Sequence, residues 1–298
     1  MRLWNAYILI LSVFIFSQNG QAQESQMFND LFVYSEILKK EIGFGIYLPP
    51  NYEASKLYYP VLYLLHGGGG EKGTNRHQRL IQEFKLKETL DKAISEDSIS
   101  PMIVVIPDAG MSYYMNNANG DYQYEDYFIN ELIPPIESNY RCKTGKDFRG
   151  IAGFSMGGYG SLLYSLRHPN KFSAVAAIGP AIRTDNEIRE MPHDQFLRRY
   201  QSAVGNLSKG DERITRFWHS NSILNLIQNL PEGQKTEVKI QIVIGDEDYV
   251  YTGNSELHEL MKNKNIPHEY RVVDGKHFEY FNSEITRALK FISHNIKN

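Results

Sequence analysis

The composition of this 298-residue chain is that of an ordinary globular protein, with 42% apolar residues, 22% charged residues and a formal net charge of −3. The length suits one large α/β domain or two small ones. The small net charge and the lack of any basic cluster in the sequence exclude a nucleic-acid-binding footprint.

The first 22 residues have the features of a secretory signal peptide. Arg2 provides a positive start, an apolar run follows over 7–16, and the Gly-Gln-Ala sequence at 20–22 has the small residues that precede a cleavage site. The run is too short to span a bilayer comfortably, and a membrane anchor or a buried strand is the alternative. We therefore expect residues 23–298 to form a single exported domain, periplasmic or extracellular, without stable membrane insertion.

Cys142 is the only cysteine in the sequence. An intrachain disulfide and a thiolate metal cluster are therefore both impossible. Export without disulfides suits a bacterial periplasm or cell exterior, because a chain of this length can build a core that needs no covalent staples.

The predicted strands are short apolar runs that alternate with helical segments. The strands cover 41–48, 59–65, 102–106, 148–152, 172–178, 238–244 and 268–273. Helical spacing is found over 79–95, 124–140, 159–167, 256–262 and 283–296. Two prolines at 134 and 135 predict that the second of these helices kinks or restarts. The alternation predicts an α/β fold with a mainly parallel central sheet and helices on both faces.

The segment 181–236 interrupts this alternation. It is polar, with aromatic residues at Phe196, Tyr200, Phe217 and Trp218. We interpret it as a helical insertion over the site and not as a separate domain.

The most informative motif is Gly-x-Ser-x-Gly at 153–157, with Ser155 at its centre. It lies between an apolar strand and a helix, the context in which a sharp turn lifts a serine hydroxyl out of a sheet toward a histidine. Such a turn crowds the backbone, and Gly153 and Gly157 leave the space that it needs. Ser155 is therefore the candidate nucleophile, and a glycine-rich turn with an incidental serine is the alternative.

His277 is the candidate base among nine histidines. It follows the last predicted strand, where the base belongs when the chain order is serine, acid, histidine, although a surface or capping histidine is the alternative. The candidate acid lies in the loop after the strand 238–244. Asp248 is favoured because a few residues of loop let it turn back toward His277, Asp246 is the runner-up, and Asp274 is assigned to the turn.

Ester hydrolysis also needs donors for the oxyanion that develops on the carbonyl oxygen. We expect one donor to be the backbone N–H of Met156 and the other to come from the glycine-rich loop at 66–70, where we favour Gly68. A plain glycine-rich turn is the alternative. A phosphate cradle is disfavoured because no Lys-Ser/Thr pair follows the glycines. The loops that carry these candidates all follow predicted parallel strands, at whose carboxyl ends sites form.

Together these segments resemble the esterase D-type branch of the α/β-hydrolases, in particular carbohydrate esterase family 1. The matching sequences are YPVLYLLHGGGG at 59–70, VVIPDAGMSYYMN at 104–116, DYFINELIPPIESNYR at 126–141, RGIAGFSMGGYGSLLYSLRHPNKF at 149–172, and the segment 242–281. The resemblance covers nearly all of 40–295. It implies an α/β-hydrolase fold, a triad of Ser155, His277 and Asp248, and hydrolysis through an acyl-enzyme without a metal or cofactor.

The branch includes feruloyl esterases, acetylxylan esterases and S-formylglutathione hydrolases. Export disfavours the last, whose substrate is cytosolic, and favours acetyl or feruloyl esters of xylan-type glycans, as oligosaccharides or smaller molecules. Tyr113, Tyr114 and Trp218 are candidates for stacking on sugar or phenolic rings, although such aromatic residues are equally often core. The alternatives are an acyltransferase, a siderophore- or lipid-ester hydrolase, and a non-catalytic ligand-binding protein of this fold.

Overall fold

The computed structural model describes residues 23–69, 75–231 and 237–298, so the expected signal peptide at 1–22 lies outside the described residues. Its strands are β1 Gln26–Ser35, β2 Lys40–Leu48, β3 Val61–Leu65, β4 Ile103–Pro107, β5 Arg149–Phe154, β6 Ala174–Ile178, β7 Lys239–Gly245 and β8 Glu269–Val273. They form one eight-stranded sheet in the order β1-β2-β4-β3-β5-β6-β7-β8. The pairs β1–β2 and β2–β4 are antiparallel, and all other neighbours are parallel.

Strands β2 to β8 correspond to the seven predicted strands, whereas β1 was not predicted from the sequence. This edge strand has a register shift between Phe28 and Leu31, which leaves Asn29 and Asp30 at an irregularity. Asn and Asp are poor strand formers, and they interrupt the apolar pattern by which a strand is detected. β1 is therefore stabilised by pairing with β2, although its own sequence favours a strand only weakly.

Eleven α-helices surround the sheet in the described part of the chain. They are α1 Arg76–Glu83, α2 Leu86–Ser95, α3 Tyr124–Tyr127, α4 Ile133–Asn139, α5 Met156–Arg167, α6 Asp185–Glu190, α7 His193–Val204, α8 Arg216–Asn221, α9 Ile223–Gln228, α10 Tyr251–Asn263 and α11 Phe281–Asn295. Within the described residues, no helix combines the length and the apolar character needed to cross a membrane.

Two of the predicted helices are divided in the structure. The one predicted over 79–95 consists of α1 and α2, which are separated at Lys85, a residue with a left-handed φ of 44°. The one predicted over 124–140 passes through a π-helical turn at Phe128–Leu132 and restarts as α4. The restart was expected, because the prolines have no N–H and are accommodated in the first turn of a helix.

The core lies on both faces of the sheet, as expected for parallel strands. In β3, Val61, Tyr63 and Leu65 belong to one apolar cluster, whereas Leu62 and Leu64 belong to the other. Helices α5 and α10 pack on the first cluster, and α1, α2 and α11 pack on the second. This two-sided burial explains why the strands are continuous apolar runs.

The insertion after β6 is helical, as predicted, and comprises α6 to α9 in its described part. Its aromatic residues Phe196, Tyr200 and Trp218 belong to the same apolar cluster as Tyr113 and Tyr159. The insertion therefore packs on the core of the sheet and brings its side chains close to the helix that follows β5.

The strand order places a crevice at the carboxyl ends of β3 and β5. From β3 the chain goes to β4 on one side, and then crosses to β5 on the other side of β3. Ligands of open α/β sheets bind at such a reversal, because the connecting loops diverge there and leave a gap. The loop at 67–69 and Ser155 flank this gap.

Candidate active site

Ser155 lies in the turn between β5 and α5 and has an unusual backbone conformation, with φ of 56° and ψ of −115°. A residue with a side chain seldom adopts such angles unless neighbouring structure holds it there. Here its N–H donates to the carbonyl of Ile178 at 2.9 Å. Its carbonyl accepts from the N–H groups of Tyr159 at 2.9 Å and Ala181 at 3.0 Å. The end of β6 and the start of α5 therefore fix the turn.

The two glycines that flank this serine are required by close backbone contacts. A Cβ atom on Gly157 would lie 2.1 Å from the carbonyl oxygen of Leu65, and one on Gly153 would lie 2.4 Å from the carbonyl carbon of Gly157. Real Cβ atoms do not approach backbone this closely. The motif is therefore a packing requirement that brings β3, β5 and α5 together beneath Ser155.

We expect Gly157→Ala to lower the free energy of unfolding by about 3 kcal/mol or more, because its methyl group would collide with rigid backbone. Gly68→Ala is the matched control, because its Cβ would meet only the flexible thioethers of Met111 and Met156, at 3.4 Å. We expect the control to stay within about 1 kcal/mol of the wild type. Urea unfolding of both variants checks the prediction, and equal stabilities would contradict it.

Ser155, His277 and Asp248 form a continuous hydrogen-bonded chain. The Oγ of Ser155 lies 2.7 Å from Nε2 of His277, and Nδ1 of His277 lies 2.7 Å from Oδ2 of Asp248. All three side chains are buried. Since an ionised carboxylate only accepts, Nδ1 carries the proton and Nε2 is left to accept from the serine hydroxyl.

The candidate acids differ in their contacts in the structure. Asp246 is exposed, and its carboxylate accepts from the backbone N–H of Gly275 at 2.9 Å, which ties the loop after β7 to the turn after β8. Asp274 is exposed as well. Of the three aspartates considered from the sequence, Asp248 alone contacts His277.

Tyr280 is part of this site and was not predicted from the sequence. Its hydroxyl donates a short hydrogen bond to Oδ2 of Asp248, and the N–H of Val250 donates to Oδ1 at 3.0 Å. Burial raises the pKa of the Tyr280 hydroxyl, and the hydrogen bond with Asp248 raises it further, so the hydroxyl stays protonated. A tyrosine at the start of a helix carries no catalytic motif that would identify it.

Aromatic rings surround the imidazole of His277. Its ring centre lies 4.9 Å from that of Phe154, 4.4 Å from that of Tyr249 and 5.1 Å from that of Phe278. Tyr249 and Phe278 are 45% and 57% exposed, so they form the outer rim of the site.

The glycine-rich loop after β3 lies against the serine turn. A Cβ on Gly67 would be 3.5 Å from Cβ of Ser155, and one on Gly68 would be 3.4 Å from the sulfur of Met156. His66 fixes this loop, since its Nδ1 lies 2.8 Å from the carbonyl of Gly67. Its Nε2 accepts from the N–H of Ala109 at 2.9 Å. His66 is therefore a neutral imidazole that links the loops after β3 and β4.

The three aromatic residues considered for substrate stacking differ in position. Tyr114 is fully buried, and its hydroxyl donates to the carbonyl of His66 at 2.9 Å. The expectation that Tyr114 stacks on a substrate ring is therefore wrong, because core atoms cover both of its faces. Tyr113 and Trp218 line a narrow cleft between α5 and the insertion, together with Arg183 and Tyr200.

Comparison with known proteins identifies the family of the chain. Residues 35–292 match the model of the family described as "Putative esterase". An esterase of Mycobacterium tuberculosis is 32% identical over 257 residues, which are 79% of this chain and 52% of that protein. The chain thus spans about half the length of this relative. An acetyl esterase of Caldicellulosiruptor saccharolyticus is 24% identical over 276 residues, 87% of this chain and 96% of that protein.

Solved structures agree with this family. A ferulic acid esterase has a TM-score of 0.74 and 26% identity, and the match covers 92% of this chain and all of that one. An S-formylglutathione hydrolase from Staphylococcus aureus has a TM-score of 0.69 at 21% identity, over 90% and 99% of the two chains, which shows the shared fold. The chain has the α/β-hydrolase fold and belongs to the esterase family that this model describes.

Proposed function

We propose that this protein is an exported serine esterase that hydrolyses acetyl or feruloyl esters of carbohydrate. The observation that carries the proposal is the hydrogen-bonded chain from Asp248 through His277 to Ser155, with both distances at 2.7 Å. A serine hydroxyl is a weak nucleophile until a base of this kind accepts its proton. The buried arrangement, the strained serine turn and the adjacent glycine loop support this proposal, because acyl transfer needs a nucleophile, a base and oxyanion donors close together.

In the proposed reaction, Oγ of Ser155 attacks the ester carbonyl carbon while Nε2 of His277 takes the hydroxyl proton. Asp248 holds the imidazole in the required tautomer and stabilises the cation that forms. The N–H groups of Met156 and Gly68 donate to the oxyanion. The C–O bond then breaks, His277 protonates the departing alcohol, and an acyl-enzyme remains. Water, deprotonated by His277, attacks this acyl group and releases the carboxylic acid and Ser155.

The carbohydrate part of the proposal rests on similarity and on the N-terminal sequence. The acetyl esterase and the ferulic acid esterase are named for the two acyl groups that we propose here. The residues at 1–22 have the pattern of a cleaved signal peptide, which would bring the remaining single domain to polymeric esters outside the cell.

A substrate panel tests this function. Mature protein, residues 23–298, is assayed with p-nitrophenyl acetate, methyl ferulate and acetylated xylan. Release of acetate or ferulate from the last two supports the proposal and selects the acyl group. Turnover of p-nitrophenyl acetate alone would indicate that the natural substrate is not an ester of a plant polymer. Acylated sugars formed when a sugar acceptor is added would indicate an acyltransferase. Lack of activity on all three esters would contradict the proposal.

A further inference from the structure

Two arginines of the insertion lie against one aromatic ring at the rim of the site. The guanidinium carbon of Arg183 is 5.2 Å from the ring centre of Tyr249, and that of Arg199 is 5.1 Å from the same centre. The ring centre of Tyr249 is in turn 4.4 Å from the ring centre of His277. We call Arg183, Arg199 and Tyr249 the arginine rim. It places two cations one ring away from the base of the proposed triad.

The positive charge of this rim is only partly compensated. Arg183 forms an ion pair with Glu187 at 3.4 Å. Across residues 23–69, 75–231 and 237–298, no carboxylate lies within 4.0 Å of the Arg199 guanidinium. Its Nε is also buried without a hydrogen-bond partner. A half-buried cation that lacks a counter-ion is costly, and an anionic ligand would remove that cost.

Arg199 is charged at neutral pH like any arginine, and the groups around it add no competing anion. Burial raises the pKa of both Tyr113 and Tyr200, so these phenols remain neutral. Tyr113 is held beside the rim by a left-handed backbone with φ of 53°.

We propose that the arginine rim binds a carboxylate carried by the ester substrate itself, so that the enzyme prefers esters that bear a free carboxylate on the acyl or the alcohol side. This inference rests on the proposed esterase function. A guanidinium presents two parallel N–H groups that match the geometry of a carboxylate, and the pair is stronger at a partly desolvated site. The ring centre of Tyr249 is 4.4 Å from that of His277. A small molecule can therefore reach both the rim and Ser155.

Two matched pairs of esters test the proposal, each differing in one carboxylate. On the acyl side, mono-p-nitrophenyl glutarate is compared with p-nitrophenyl pentanoate. On the alcohol side, 4-acetoxybenzoate is compared with p-tolyl acetate. We expect Arg199→Gln to lower kcat/KM for the charged member of one pair by about tenfold or more, the loss expected for one charge-assisted contact, and to leave neutral esters within about twofold. The affected pair identifies the side that carries the charge.

Arg198→Gln is the matched control, because Arg198 is the exposed neighbour of Arg199 on the same helix. It should keep the charge preference of the wild type, and Arg199→Lys should keep part of it. Raising the ionic strength should weaken the preference in the wild type. The inference would be overturned, and the esterase function left intact, if Arg199→Gln had the wild-type ratio of kcat/KM between the charged and the neutral ester in both pairs.

A binding measurement tests the carboxylate site even if the proposed esterase function is wrong. If neither neutral ester is hydrolysed, calorimetric titration with glutarate still tests the rim. Binding that is weakened about tenfold in Arg199→Gln, but not in Arg198→Gln, supports the carboxylate site. Equal binding, or lack of binding, in the wild type and in both variants overturns it.

Discussion

Ser155→Ala is expected to lower kcat for p-nitrophenyl acetate by a factor on the order of 10⁵, because removal of the nucleophile of such a triad leaves only binding and oxyanion stabilisation. The fold should be unaffected. The serine turn is held by backbone hydrogen bonds to Ile178 and Ala181, which alanine retains. Ester turnover, together with a urea unfolding curve, checks both parts of this expectation.

Ser165→Ala is the control for this experiment. Ser165 is buried like Ser155 but lies within α5, where its hydroxyl donates to the carbonyl of Leu162 at 2.9 Å, away from the site. We expect this variant to retain kcat within about threefold, since a single lost neutral hydrogen bond affects stability and not the reacting atoms. A Ser155→Ala protein that folds normally and keeps the full activity would exclude the covalent mechanism.

Asp248→Asn is expected to lower kcat by about 10⁴-fold. The amide would donate to Nδ1 of His277, so the imidazole proton would move to Nε2, which could then no longer accept from Ser155. Asp246→Asn is the matched control, because Asp246 contacts the backbone of Gly275 in an exposed turn. We expect kcat of the control to stay within about threefold of the wild type, since Asp246 does not contact the imidazole. A larger loss at Asp246 than at Asp248 would reverse the assignment of the acid.

Tyr280→Phe refines the same prediction. The hydroxyl of Tyr280 donates to Asp248, not to Ser155 or His277. Its loss should therefore make the position of the Asp248 carboxylate less fixed, while the carboxylate itself is retained. We expect a fall of about tenfold in kcat, the size of one charge-assisted hydrogen bond, with little change in KM. A rise in KM at constant kcat would instead assign Tyr280 to substrate binding.

The features that were predicted from the sequence depend on neighbours along the chain. Strands β2 to β8 are detectable because parallel strands buried on both faces need unbroken apolar runs. The turn at Ser155 is detectable because its crowding requires Gly153 and Gly157 at fixed spacing. His277 and Asp248 were proposed from their places after two strands, and in the structure His277 contacts Ser155 while Asp248 contacts His277.

Other features depended on contacts between residues far apart in sequence. Edge strand β1 forms despite its interrupted apolar pattern because β2 pairs with it. Tyr114 was a candidate for substrate stacking with a core position as the alternative, and it is a core residue because α5 and the loop after β3 pack against it. Neither outcome is encoded in a local pattern, since burial is a property of the assembled layers.

Sequence by itself therefore determined the fold class, the serine turn and the short set of candidate partners, because local spacing reflects local geometry. Only the tertiary structure shows that Asp248 and not Asp246 contacts His277, that Tyr280 contacts Asp248, and that Arg199 lies beside Tyr249 with no carboxylate of the described residues within 4.0 Å of its guanidinium. These three depend on directions of side chains that come from different strands and helices. Packing fixes those directions, and the order of residues along the chain does not reveal them.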